Sequence, residues 1–104
     1  MGNKERSKGR VGQRMAIALL EKRGYTVNEL NSGKKSADLI ATYGIKTYYV
    51  EVKNQKSINI PKFLKQAREN VKRKRDSWML LCRLDGGYGW LLLRQDVKKA
   101  EVWK

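Results

Sequence analysis

Hydrophobic residues recur along this chain with two different periods. From about Val11 the period is helical: Val11, Met15, Ala18 and Leu19 fall at i, i+4, i+7 and i+8 on one face. The run Ala16-Ile17-Ala18-Leu19-Leu20 carries apolar character around this helix and predicts that it is well buried. Gly24 reads as its stop, with Lys22 and Arg23 suited to the negative end of the helix dipole. The period then shortens to two. Tyr25 to Leu30 predicts a short strand closed by Asn31-Ser32-Gly33, and Ala37 to Thr42 predicts a second, ended by Tyr43-Gly44. Thr47 to Lys53 is the strongest strand signal, with Tyr48, Val50 and Val52 on one face and Thr47, Tyr49, Glu51 and Lys53 on the other. Pro61 opens a second helix, expected to run to about Arg75 and striped by Phe63, Leu64, Ala67 and Val71. Trp78 to Leu84 is the apolar run of a strand covered on both faces. Asp85-Gly86-Gly87 turns the chain, Tyr88 to Arg94 returns as a strand, and the tail from Gln95 reads as a helical turn or two.

These elements follow the order α-β-β-β-α-β-β. They predict an α/β fold in which helices flank a central mixed five-stranded sheet. Residues 1–10 are polar and basic and read as a flexible arm, leaving 11–104 as a single domain. The first three strands suit an antiparallel meander, and the second helix suits a right-handed crossover to a parallel fourth strand. Tyr48, Trp78, Trp90 and Cys82 are expected in the core, whereas Trp103 reads as a dimer contact or an idle surface residue.

Composition removes several chemistries. The 104 residues support one modest core, and the longest apolar run, Met15 to Leu20, is six residues, so no membrane span is expected. No leader pattern is seen, which points to an intracellular, cytoplasmic protein, a virus-encoded one in a host cytoplasm included. The single cysteine excludes an internal disulfide and a Cys-rich zinc site, and the absence of histidine removes every His base, nucleophile or metal ligand. The 24 Lys+Arg against 10 Asp+Glu leave +14, an excess that calls for a polyanionic partner. Nucleic acid is the expected one, through release of counterions from neutralised phosphates, with an anionic membrane surface as the competitor.

Among the acids, Asp38 and Glu51 stand apart. Asp38 opens a strand that is otherwise Leu39-Ile40-Ala41, and Glu51 lies inside the best strand, where Glu is disfavoured. Lys53 leaves the same strand face as Glu51. Two carboxylates from adjacent strands beside a lysine are what a hard cation such as Mg²⁺ needs for phosphodiester hydrolysis, with Mn²⁺ as a substitute. The lysine would orient water or stabilise charge building on the phosphate. The competing reading is a cross-strand pair with nearby lysines on a solvated face. The acid-x-Lys pattern also recurs as Asp96-Val97-Lys98 downstream of Asp85, but there one acid sits in a turn and the other follows a strand.

Ala37-Asp38, twelve intervening residues and Glu51-Val52-Lys53 resemble the signature of the PD-(D/E)XK nuclease superfamily. The stretch Ser7 to Arg14, running on through Glu21-Lys22-Arg23-Gly24-Tyr25, is similar to the first helix of archaeal-type Holliday junction resolvases, and Gln66-Ala67 resembles their Gln-containing second helix. The resemblance implies a restriction-endonuclease-like fold acting on DNA as a homodimer. It makes Asp38, Glu51 and the Val52 carbonyl metal ligands, and Lys53 the catalytic lysine. Ala37 replaces the proline of the signature. Gln13 stands where resolvases place a further catalytic glutamate, and Glu5 and Glu21 are the acids that would substitute for it.

The expected function is that of a metal-dependent DNA endonuclease, a Holliday junction resolvase in particular. A nicking or flap nuclease of the same fold and a non-catalytic basic nucleic-acid-binding module are the alternatives. In either case Lys4, Arg6, Lys8, Arg10 and Arg14 would meet DNA from the first helix and its arm. Lys34 and Lys35 would flank the cleft, and Lys62, Lys65, Gln66, Arg68 and Lys72 would line a channel from the second helix.

Overall fold

The computed structural model describes residues 3–30, 37–84, 87 and 89–104, with side chains from Arg10 onward. Helix α1 spans Asn3–Lys22, followed by strands β1 (Thr26–Glu29), β2 (Leu39–Tyr43) and β3 (Lys46–Lys53). Helix α2 spans Ile60–Glu69 and leads to β4 (Ser77–Leu84), β5 (Gly89–Arg94) and β6 (Val97–Trp103). The six strands form one mixed sheet in sequence order, antiparallel throughout except for the parallel pair β3–β4 that α2 connects. The meander and the parallel crossover are therefore as the pattern predicts.

Alternation along the strands builds two cores. On one face Leu39, Ala41, Tyr48, Val50, Met79, Leu81, Trp90 and Leu92 meet Ala16 and Leu20 of α1. On the other, Leu80 and Cys82 meet Phe63 and Ala67 of α2. The central strand β4 feeds both layers, which accounts for its unbroken apolar run. Cys82 is fully buried, and burial pushes its thiol up to about 11, so it is the inert core residue expected.

Helix α1 ends as Gly24 predicts. Gly24 has φ +96, and the Tyr25 N–H bonds the Leu20 carbonyl while the Gly24 N–H bonds that of Glu21, a left-handed cap that glycine adopts without strain. Among the described residues the helix begins at Asn3, so positions 3–10 of the segment expected as an arm are helical and α1 is eight residues longer than the stripe from Val11 suggested.

Two boundaries at the other elements are corrected. Helix α2 is capped by the Asn59 side chain, which accepts from the Lys62 N–H at 3.2 Å, and has Pro61 in its first turn. It stops at Glu69 rather than near Arg75, because Asn70 caps it and a separate turn, closed by the Asp76 N–H on the Arg73 carbonyl, carries the next cations. The sheet has six strands, not five: the tail expected as helix is β6. A bulge sets Lys98, Lys99 and Ala100, all exposed, where Leu92 to Arg94 advance by only two residues, so the period-two signal is interrupted. Trp103 is 6% exposed in the core, under the Arg23 guanidinium at 4.2 Å, and is neither idle nor free for a dimer contact.

Candidate active site

Continuing the β2–β3 register one step past Leu39↔Val50 sets Asp38 opposite Glu51, on the sheet face that carries α2. The Asp38 N–H bonds the Val50 carbonyl at 3.0 Å, fixing the backbone at the mouth of the pair. The Asp38 Oδ2 accepts from the Val52 N–H at 2.9 Å. Glu51 is held from two sides: Asn70 Nδ2 donates to its Oε1 at 2.8 Å, and Lys53 Nζ lies 3.4 Å from its Oε2. The Lys53 ammonium also rests over the Phe63 ring, 4.9 Å from its centre. The Lys53 and Glu51 side chains retain 18% and 12% exposure, enough to be reached and little enough for their charges to be poorly screened.

Electrostatics mark this as a costly arrangement. Burial, and then the nearby Glu51 charge, raise the Asp38 carboxyl from 3.8 to about 6, against the opposing pull of the Val52 N–H and Lys53. Two carboxylates thus share a half-buried place, with the Lys53 ammonium beside Glu51. The donors are hard oxygens with an excess of negative charge, and they fit a hard divalent cation that keeps much of its water. Among the described residues no group of three His, Cys, Asp or Glu gathers, so the described residues bring two carboxylates to this place.

Helix α1 reaches the site through small and amide residues. Gly12 lies so close to Asn54 that an added Cβ would sit 2.5 Å from the Asn54 Cβ, which only glycine permits. At the next residue of the same helix, Gln13 Nε2 donates to the Asp38 carbonyl at 3.3 Å, so its amide holds the Asp38 backbone. Glu21 is exposed near the far end of α1.

The residues expected to form the centre, Asp38, Glu51, Lys53 and Gln13, are therefore brought together with Val52, which meets Asp38 through its N–H and not through the carbonyl expected as a ligand. The expected DNA contacts are dispersed around it. Arg10 and Arg14 are exposed on α1, Lys62, Lys65 and Arg68 on α2, and Lys72 just beyond it. Gln66 is half-buried, its Oε1 sealed without a partner. Lys34 and Lys35 lie outside the described residues, as do the side chains of Lys4, Glu5, Arg6 and Lys8. The second acid-x-Lys copy is accounted for without chemistry. The Asp96 Oδ2 accepts from Lys46 Nζ at 2.6 Å and from the Tyr48 hydroxyl at 2.7 Å, bonds that outweigh burial and hold its carboxyl below the usual range. Asp85 is outside the described residues.

Sequence reasoning missed Asn70, which binds Glu51, and Asn54, which receives Gly12. Asn70 carried a usable signal: Asn is a frequent helix terminator, and ending α2 there would have aimed it at β3. No protein-family model and no curated protein matches this sequence.

Proposed function

We propose that this chain is a metal-dependent endonuclease acting on DNA, with Asp38 and Glu51 holding Mg²⁺ and Lys53 serving the phosphate. The reading is carried by one observation: the two carboxylates meet across β2 and β3 at a site where their charges raise the cost of folding. A bound Mg²⁺ supplies a Lewis acid for a phosphate oxygen and a more acidic water. The chain supplies the rest. The Val52 N–H and Asn70 fix one oxygen of each carboxylate, the Gln13 amide holds the Asp38 backbone, and Lys53 keeps a positive charge where negative charge builds. Exposed cations on α2, Lys62, Lys65 and Arg68, draw the phosphate backbone to this face. A branched substrate cut by a homodimer is the specific form of the proposal, since two symmetric cuts need two sites.

A second reading has an observation in its favour. Lys53 and Asn70 satisfy Glu51 without any metal, as in a non-catalytic basic module that binds nucleic acid. The separating experiment presents a labelled four-way junction, a linear duplex and a single strand with Mg²⁺ and with EDTA. Paired nicks in the junction alone, abolished by EDTA, support a resolvase, and metal-dependent cutting of all three supports a nuclease without branch preference. Salt-sensitive binding with no cleavage of any substrate would overturn the nuclease reading in favour of the module.

A further inference from the structure

Beyond Asn70 the sheet face is left open. Had α2 continued to Arg75 it would have passed over the start of β4; ending at Glu69, it leaves Trp78 half-buried beside an open concavity of about 550 Å³ lined by Arg68, Val71, Trp78 and Gln95. Trp78 packs in part on the cluster of Phe63, Leu80 and Cys82. Gln95 is held against it, its backbone N–H on the Trp78 carbonyl at 3.1 Å and its Oε1 accepting from the Trp78 N–H at 3.2 Å. That leaves the hydrogens of Nε2 for an outside acceptor. Arg68 makes no ion pair among the described residues, and the exposed run Lys72 to Arg75 follows Val71 directly. An aromatic floor, an amide donor and a cationic rim are the parts of a site that stacks a base and holds its phosphate.

The pocket is placed next to the candidate active site. Glu51 pairs with Leu80 and Tyr49 with Trp78, so Trp78 lies one strand over and two residues along from Glu51, on the same face. Strand geometry puts their Cα atoms roughly 8 Å apart, within the span of neighbouring nucleotides. We propose that the Trp78 pocket takes an unpaired base of the DNA strand whose phosphate lies at Asp38 and Glu51. A base inside a duplex hides its faces in the stack, so the pocket selects DNA with unpaired nucleotides beside the cut, such as branch points, gaps and flaps. The placement rests on the nuclease reading, whereas the stacking needs no cleavage.

The test is run in EDTA with the full chain. Tryptophan fluorescence is titrated with an unlabelled thymidine decamer and with a blunt duplex of equal length, and affinity is followed by anisotropy of the labelled decamer. The decamer is expected to quench fluorescence and the duplex to quench it far less. Trp78→Phe should remove the quench while Trp90 and Trp103 still emit, and Trp78→Ala should weaken decamer affinity by roughly 5- to 150-fold. Arg68→Ala, at an exposed position on α2, should weaken it as well. An unchanged quench in Trp78→Phe, no quench by the decamer, or equal affinity of Trp78→Ala and the parent chain would each overturn the proposal. Because the quench is read without metal, a chain that shows it yet cuts no DNA once Mg²⁺ is supplied fails as a nuclease and keeps its stacking pocket, and the converse result separates the two the other way.

Discussion

Asp38 binds its proton more tightly in the folded chain, where its carboxyl is raised to about 6, than in the unfolded chain, where it titrates near the ordinary 3.8. Below both values it is neutral in either state and adds nothing; above 6 it is charged in either state, and the fold bears the cost of burial and of Glu51. Metal-free stability from this group therefore falls as pH rises from about 4 to 6. Asp38→Asn keeps an oxygen for the Val52 N–H and loses the charge. Denaturant unfolding in EDTA should find it more stable than the parent by about 1–3 kcal/mol at pH 7.5, with the gain gone at pH 3.5. A destabilised variant at pH 7.5 would mean the pair is an ordinary stabilising contact. The two acids and Lys53 were legible because a Glu inside a strand of Tyr, Val and Thr contradicts its surroundings, and face parity then fixes its neighbours. The role of Gln13 was not legible: a hydrogen bond from its side-chain amide to the backbone carbonyl of a residue 25 positions away leaves no local pattern.

At the scale of elements, the approach of α1 to β3 and the end of α2 shape the site. Gly12→Ala places a methyl group 2.5 Å from the Asn54 Cβ, beside Lys53. It should cost about 1–3 kcal/mol in unfolding experiments and reduce cleavage, because α1 must move away from the site. Asn70→Ala removes the donor to Glu51 and should cost about 1 kcal/mol while lowering cleavage in Mg²⁺; unaltered rates would show that Glu51 needs no such support. Strands β1 to β5 were legible from alternation and turn residues, and both helices from their stripes. The end of α2 was obscured because Lys72 to Arg75 are all good helix formers, and it is tertiary contact at Asn70 that ends the helix. Strand β6 was obscured by its bulge, which exposes three successive residues rich in helix propensity. Local preference pointed one way and sheet pairing decided the other.

Over the whole molecule, +14 on 104 residues surrounds a site whose own charge is negative. On the proposed reading, such a surface recruits a polyanion broadly while the two carboxylates take a cation. If six to ten phosphates are contacted, DNA affinity should drop by ~10³–10⁵ between 50 and 200 mM salt, read as the slope of log affinity against log salt. A flat slope would remove the electrostatic basis for DNA as partner. No helix among the described residues is long and apolar enough to cross a membrane. Charge and fold class were legible from composition and pattern alone, whereas substrate shape depends on how surfaces meet and is written in no single motif. The central claim is that Asp38 and Glu51 perform metal-dependent chemistry, and the most direct measurement compares initial rates of four-way junction cleavage in Mg²⁺ for the parent chain and Glu51→Gln, each shown to be folded by circular dichroism. Cleavage that the parent performs only with the metal, and that Glu51→Gln slows by roughly 10²-fold or more, is the predicted result. Equal rates for the two chains, or cleavage by the parent that persists in EDTA, would contradict it.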